Sequence, residues 1–276
     1  GLQNNFIVSP MTERMYISLA TCVEDKKPYI LYGLPESGKK ETLLSFSKIL
    51  GKSLYIYKCS PYSDQKAFHK ILYGGQKAGN WILLDNIDIV DRELLSAIAQ
   101  DILIVHWNIN DPKADFYLPY DKIPINHSTR IMCTTRLIKK NNIEILPENI
   151  KSSFRFIGQS TPDLFFIIHS TFKNLAFPKC KYYARKIKYI LEYLNSKISL
   201  LKYKRIGLNL FKKLIRRLEI SSNKVNKENA DDIIRRAIEK IFVPFMDDDE
   251  NDDMMVKLIF LIFLIFNFLE NFELCI

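Results

Sequence analysis

A glycine-rich segment that could bind phosphate groups spans residues 33–42, with the sequence GLPESGKKET. It matches the pattern GxxxxGK at Gly33, Gly38 and Lys39, but Lys40 stands where the pattern continues with serine or threonine. In such a loop the backbone N–H groups and the start of the next helix surround a polyphosphate, and the lysine contacts its terminal phosphates. A surface turn before an ordinary helix is the alternative interpretation. The predicted nucleotide-binding residues are Gly33, Leu34, Pro35, Glu36, Ser37, Gly38, Lys39 and Lys40.

Three further positions bear on whether a bound nucleotide could be hydrolysed. Asp85 ends the apolar run WILLD, where a carboxylate would hold Mg²⁺ through water; a turn or helix cap is its alternative role. Asn86 follows it and cannot act as the base that a glutamate would supply there. The hydroxyl missing at Lys40 would be a Mg²⁺ ligand, and Thr42 lies about 200° further around the helix. We therefore expect nucleotide binding with a weakened Mg²⁺ site and without efficient hydrolysis.

Charge is distributed unevenly along the chain, which carries a formal net charge of +9. Lysine and arginine are concentrated in residues 179–217, whereas residues 247–253 form an acidic block. A basic helical segment could contact nucleic acid, an acidic protein surface or tubulin, although such residues more often only solvate an outer helix face. Tyr182, Tyr183 and Tyr189 lie within this segment, and their helical spacing favours a place in the core over base stacking.

Composition and cysteine spacing indicate a globular chain in a reducing compartment. Its 276 residues, 47% of them hydrophobic, are ample for a buried core. The five cysteines lie far apart without a CxxC pair, so no disulfide or metal framework is predicted, and Cys59 and Cys133 are assigned to the core. No secretory signal layout is present at the N-terminus. The apolar run 258–266 falls short of the ~20 residues of a membrane span, so no membrane partner is expected.

Strands and helices are predicted to alternate in the first part of the chain, which favours a parallel sheet covered on both faces. A hairpin or polar insertion is expected at 108–126. The predicted strands are 29–32, 53–59, 81–85, 102–107, 130–134 and 154–157. The predicted helices among them are 41–50, 64–73, 92–101 and 147–153.

The pattern changes beyond residue 161, where four helical segments follow one another. They are predicted at 163–172, 181–196, 207–219 and 231–242. We therefore predict an α/β nucleotide-binding subdomain at 1–160, a small all-helical lid at 161–245, and an acidic and apolar linker towards a next module at 246–276.

Several segments besides the phosphate loop recur in a characteristic order and spacing. They are VSPMTER at 8–14, GNWILLD at 79–85, RELLSAIAQ at 92–100, LPENIKSSFR at 146–155 and the stretch 237–248. Together with the loop, these segments resemble the first AAA+ module of the dynein heavy chain, and the likeness covers nearly the whole chain. Each segment alone is weak, but their joint order makes the resemblance specific.

The resemblance implies a P-loop AAA+ fold, with a parallel sheet flanked by helices and followed by a helical lid. It implies ATP or ADP with Mg²⁺ as cofactors, and a ring of six modules in one polypeptide that moves along microtubules. The implied partners are adjacent modules of the same heavy chain, microtubules through other parts of the chain, and dynein intermediate and light chains through the tail. The implied location is the cytoplasmic cytoskeleton, with the axoneme of a cilium or flagellum favoured.

The resemblance also implies roles for single residues. Val8 and Pro10 fall in the segment that wraps the adenine, and Arg155 falls at an arginine-finger position that faces the nucleotide of a neighbouring module. A buried salt bridge is the alternative role for Arg155. Departures from the family pattern are Glu36 in place of a glycine, Thr134 or Thr135 nearest to the sensor asparagine, and Asn209 in place of the lid arginine.

Three hypotheses follow. The first is a dynein module with a degenerate nucleotide site, which serves as a binding or structural segment of the ring. The second is an active ATPase whose site is completed by Thr42 or by a neighbouring module. The third, which we favour least, is an AAA+ protein that handles nucleic acid through the basic segment 179–217.

Overall fold

The computed structural model describes residues 6–108, 115–117, 122–124, 126–136, 146–198, 208–222 and 230–242. Contacts divide the chain into two compact units, Gly1–Pro162 and Asp163–Ile276. The predicted linker at 246–276 and the apolar run at 258–266 lie outside the described residues. Among the described helices, none is long and apolar enough to cross a membrane.

A five-stranded parallel sheet forms the centre of the first unit and confirms the predicted α/β class. Its strands stand in the order β2-β3-β6-β1-β7, so β1 lies between two strands that come much later in the chain. In register, Tyr29 pairs with Met132 on one side and with Arg155 on the other. The strands are β1 (Tyr29–Gly33), β2 (Leu54–Lys58), β3 (Trp81–Asp85), β6 (Ile131–Thr135) and β7 (Arg155–Gln159).

The expected hairpin is present as a short antiparallel pair outside this sheet. Strand β4 (Asp115–Tyr117) pairs with β5 (Lys122–Pro124) within the region predicted as an insertion or hairpin. The described α-helices of the first unit are α1 (Pro10–Glu24), α2 (Lys39–Ile49), α3 (Gln65–Ala78), α4 (Arg92–Asn108) and α5 (Glu148–Ser153).

Helix α4 corrects one prediction, because the strand expected at 102–107 is its continuation. The β-branched residues of this stretch favour a strand locally. Their burial, however, follows a helical period that began earlier in the helix, so one apolar stripe faces the sheet throughout. The buried residues of this stripe are Leu95, Ile98, Ala99, Ile102 and Val105. Helix α1 has no counterpart among the predicted elements.

Alternate residues of the strands enter two separate hydrophobic clusters, one on each face of the sheet. Tyr29, Leu31, Trp81, Leu83 and Met132 pack with residues of α1 and α2. The other face packs against α3, α4 and α5 through Ile30, Ile82, Leu84, Ile131 and Cys133. Burial on both faces explains why the strand sequences are almost continuously apolar.

The second unit has a hydrophobic core of its own. Its described helices are α6 (Leu164–Asn174), α7 (Cys180–Ile198), α8 (Leu208–Ser222) and α9 (Ala230–Phe242). Tyr183 lies in this core and Tyr182 packs against it, whereas Tyr189 is 53% exposed. Two of the three tyrosines of the basic segment are therefore engaged in packing rather than presented for base stacking.

Two adjacent glycines in α3 allow a matched test of this packing. Gly74 is exposed and a Cβ there meets nothing within 4 Å, whereas a Cβ on Gly75 would lie 2.8 Å from Cγ1 of Ile82 and closer still to its Cδ1. We expect Gly74→Ala to raise the free energy of unfolding by about 0.5–1 kcal/mol through helix propensity. Gly75→Ala should lower it by about 1–2 kcal/mol, because β3 is overpacked.

Urea denaturation of the two variants and the parent chain measures the difference. Equal effects of the two substitutions would contradict the described contact between α3 and β3.

Candidate functional site

The predicted phosphate loop joins the carboxyl end of β1 to the start of α2. Gly33 is the last residue of β1, and Gly38, in the left-handed region at φ 87°, directly precedes Lys39 at the first position of α2. The sheet is parallel, so the carboxyl ends of β3, β6 and β7 lie at the same edge as that of the central strand β1. This edge is where open parallel sheets bind their ligands.

Lys39 places its ammonium group inside the loop. Its Nζ donates to the carbonyl oxygens of Gly33 at 3.1 Å and Leu34 at 2.7 Å, and to Oγ of Ser37 at 3.4 Å. The residue is only 7% exposed. Burial lowers the pKa of Lys39, and the nearby carboxylates of Asp88 and Asp85 act in the opposite direction.

Gln159, at the end of β7, fastens the loop from the neighbouring strand. Its Nε2 donates to the carbonyl oxygen of Ser37 at 2.9 Å and to Oγ1 of Thr42 at 3.3 Å. The Thr42 hydroxyl in turn donates to the carbonyl oxygen of Gly38 at 3.1 Å. Thr42 is thus engaged beside Gln159, in keeping with the expectation that it does not replace the hydroxyl missing at position 40.

Sequence motifs did not identify Gln159 as a site residue. Its signal is indirect, since it lies two residues beyond the strand predicted at 154–157, which the structure extends to Gln159 beside β1. The same pairing explains Gly33, because a Cβ at this position would lie 2.5 Å from the carbonyl oxygen of Gln159.

Asp85 is held by a protein donor on one of its oxygens. The hydroxyl of Thr134, near the end of β6, donates to Oδ1 of Asp85 at 2.6 Å. The same hydroxyl oxygen accepts the backbone N–H of Asn86 at 3.0 Å. Of the two threonines named for the sensor position, Thr134 is therefore the one bonded to Asp85.

Arg136 adds a cation to this edge that the sequence motifs did not indicate. Its backbone N–H donates to Oδ1 of Asp88 at 3.1 Å, and its Nε donates to Oδ2 at 3.0 Å. Asp88 thus binds Arg136 through both oxygens. Arg136 also lowers the pKa of Lys39, as a like charge near that ammonium group does.

The donor set at this edge does not match that of a Mg²⁺-binding phosphate loop. Mg²⁺ requires oxygen ligands in octahedral geometry, but a lysine stands at the hydroxyl position. One oxygen of Asp85 and both oxygens of Asp88 accept hydrogen bonds from the protein. Across the residues described, no group of three or more histidine, cysteine or acidic side chains could hold a metal ion.

Arg155 lies at the opposite edge of the sheet from the loop. It begins β7, four residues before Gln159, which places it roughly 13 Å away at about 3.3 Å per residue. Its side chain is 46% exposed, with Nη1 3.7 Å from Oδ2 of Asp25. Arg155 therefore cannot serve this chain's own loop, and a role in a neighbouring site stays a prediction.

The segment predicted to wrap the adenine forms the start of α1. Pro10 is the first helical residue, and Ser9 caps the helix in a reciprocal pair of hydrogen bonds with Thr12. Val8 precedes the cap and is 40% exposed. The adenine role of Val8 and Pro10 stays a prediction.

Glu36 occupies the left-handed region at φ 60°, which is unfavourable for a side chain other than glycine. Relief of this strain predicts that Glu36→Gly raises the free energy of unfolding by about 0.5–1 kcal/mol, after the entropy of the added glycine is allowed for. Glu36→Ala removes the same carboxylate but keeps the strain, and should not stabilise. Chemical denaturation of both variants is the measurement, and equal stabilities of the Gly and Ala variants would contradict the strain.

Comparison with known proteins gives a family match over most of the chain. The model of the hydrolytic ATP-binding site of the dynein motor region matches residues 1–268. A flagellar inner-arm dynein-1-beta heavy chain from Chlamydomonas reinhardtii is 26% identical over 85% of this chain and 5% of its own length. The cytoplasmic dynein heavy chain of Saccharomyces cerevisiae is 23% identical over 93% of this chain and 6% of its own.

A further relative, dynein axonemal heavy chain 2 of Mus musculus, is 29% identical over 68% of this chain and 4% of its own length. The chain thus spans a small part of these relatives, which include both axonemal and cytoplasmic dyneins. These matches confirm the resemblance to dynein heavy chains. Because the matched family is an ATP-binding site, its cofactor is a nucleotide. The chain belongs to the family of the hydrolytic ATP-binding site of the dynein motor region.

Proposed function

We propose that this chain is a module of a dynein heavy chain that binds ATP or ADP and hydrolyses ATP poorly. The observation that carries the proposal is the buried ammonium group of Lys39, which is held against loop carbonyls at the start of α2. A phosphate oxygen would offer this cation a charged partner, and charge-assisted bonds are stronger than those to neutral carbonyls. The backbone N–H groups at the start of α2 add favourable electrostatics for an anion.

Weak hydrolysis follows from the groups around the terminal phosphate. Asn86 stands in the place of the base, and its amide cannot accept a proton from water. The loop offers no hydroxyl ligand for Mg²⁺, and one oxygen of Asp85 already accepts a hydrogen bond from Thr134. Loss of one group that stabilises transferred charge typically costs ~3 kcal/mol, or a factor of ~10²–10³ in rate.

The proposed setting is a ring of AAA+ modules within one heavy chain. Its partners would be the adjacent modules, with microtubules and the intermediate and light chains bound through other parts of the polypeptide. We place such a motor on the cytoskeleton of the cytoplasm, with the axoneme of a cilium or flagellum as the favoured site. Arg155 would act on the nucleotide of a neighbour, which its half-exposed position at the far edge of the sheet supports.

One observation favours a second candidate, an active module completed by its neighbour. Arg155 is half-exposed, which supports a role of its side chain in a site formed between modules. A neighbouring module could supply a base to this site in the same way.

Nucleotide binding predicts a thermal shift that depends on Lys39. ATP at about 100 times its Kd should stabilise the chain by roughly 2.7 kcal/mol and raise Tm by about 5–10 °C. Lys39→Ala should abolish most of this shift, because the buried cation of the loop is lost. The matched control is Lys48→Ala, which removes an exposed lysine from the far end of α2 and should leave the shift unchanged. Equal shifts in the parent chain and Lys39→Ala would reject the site.

Poor hydrolysis predicts that the parent chain and Lys39→Ala release phosphate from ATP at the same background rate. Steady-state phosphate release measures this directly. A parent rate well above that of Lys39→Ala would show an active ATPase.

Phosphate release by the full heavy chain, with and without Asn86→Glu, tests the role of the neighbouring module. Asn86→Glu supplies the missing base, so it should raise turnover by about tenfold or more if this site is limited by that loss. An unchanged rate would favour a base supplied by another module.

A further inference from the structure

Positive charge is unusually dense at the edge of the sheet that carries the loop. Lys39 and Lys40 are adjacent at the start of α2, and Arg136 follows the end of β6. The charges of Asp88 and Asp85 act on Lys39, and Arg136 acts on it as a like charge. The exposed side chain of Glu36 is left to solvent.

Both carboxylates are already committed to donors from β6 and its end. Thr134 donates to Asp85 at 2.6 Å while its oxygen accepts from Asn86, so its hydroxyl is satisfied in both directions. Arg136 binds Asp88 through two hydrogen bonds near 3 Å. Oδ1 of Asp85 and both oxygens of Asp88 therefore already accept charge-assisted hydrogen bonds from the protein, which leaves fewer oxygen atoms for a divalent cation.

Lys40 makes the same position unfavourable for a metal ion. It offers no oxygen ligand, and its positive charge would repel a second cation bound close to it. An ammonium group is a compact charge with three donors on a flexible stem, and it binds phosphate oxygens well. Its chemistry at this position is therefore that of a counter-ion to a polyphosphate.

We propose that this loop binds the polyphosphate of a nucleotide without a divalent cation, with Lys40 supplying the charge that Mg²⁺ supplies in phosphate loops that have the hydroxyl. This inference rests on the proposed nucleotide binding and names how that site neutralises its ligand. Lys39 contacts the phosphates from inside the loop, and Lys40 neutralises them from the side on which the metal would lie. Arg136 binds both oxygens of Asp88, so this carboxylate competes less with the phosphates for the two lysines.

Isothermal titration of the full chain with ATP, once with MgCl₂ and once with EDTA, tests the proposal. The two Kd values should agree within about threefold, because no side chain of the protein would coordinate a metal ion carried by the nucleotide. Two substitutions at one position give matched controls. Lys40→Met keeps the length of the side chain without its charge, and should weaken binding by about tenfold or more in EDTA.

Lys40→Thr restores the hydroxyl, and should bind ATP at least about fivefold more tightly with MgCl₂ than with EDTA. Lys40 is a partly exposed residue of the first helical turn, and circular dichroism with thermal unfolding verifies that both variants fold. Loss of parent binding in EDTA would overturn metal independence, and unchanged binding of Lys40→Met in EDTA would overturn the role of Lys40; either result leaves nucleotide binding intact. Absence of parent binding in both buffers would overturn the proposed function itself.

Discussion

Lys39 carries a buried positive charge, and the conformation of the loop depends on the partners that this charge finds. The ammonium group is satisfied by the carbonyl oxygens of Gly33 and Leu34 and by the Ser37 hydroxyl. A buried charge without hydrogen-bond partners would be costly, so the loop is drawn around the lysine. Gln159 then fixes the outer side of the same turn through the Ser37 carbonyl. The candidate site is thus organised by hydrogen bonds around one cation.

The sheet topology decides which other residues join that set. Because β1 lies between β6 and β7, with β3 next to β6, residues far apart in sequence meet at one edge. Thr134 reaches Asp85 and Arg136 reaches Asp88 for this reason. These contacts also explain how a site can keep the geometry of phosphate binding while its carboxylates accept hydrogen bonds from other residues of the chain. The site lacks a hydroxyl ligand at Lys40 and a base at Asn86. Its remaining carboxylates, Asp85 and Asp88, accept hydrogen bonds from Thr134 and Arg136.

The sequence predicted the site residues that a short local pattern marks. The loop residues from Gly33 to Lys40 follow from glycine spacing and one lysine, and Asp85 follows from its place at the end of an apolar strand. Gln159 and Arg136 could not be predicted in this way, because their roles arise from strand pairing and no short motif marks them. In α4 the local strand preference of residues 102–107 yielded to a helical stripe that starts at Leu95. The left-handed conformations of Glu36 and Asn86 likewise became visible only in the backbone.

The pairing of β1 with β7 has a consequence for the order in which the molecule forms. The bond from Gln159 to Ser37 closes a separation of 122 residues, and contacts of such length form slowly because a long segment must first be ordered. A ribosome releases the glycine-rich turn long before the strand that fastens it, since synthesis proceeds from the N-terminus. The nascent chain therefore carries an unfinished turn through most of the translation of its first unit, and completes it when β7 docks.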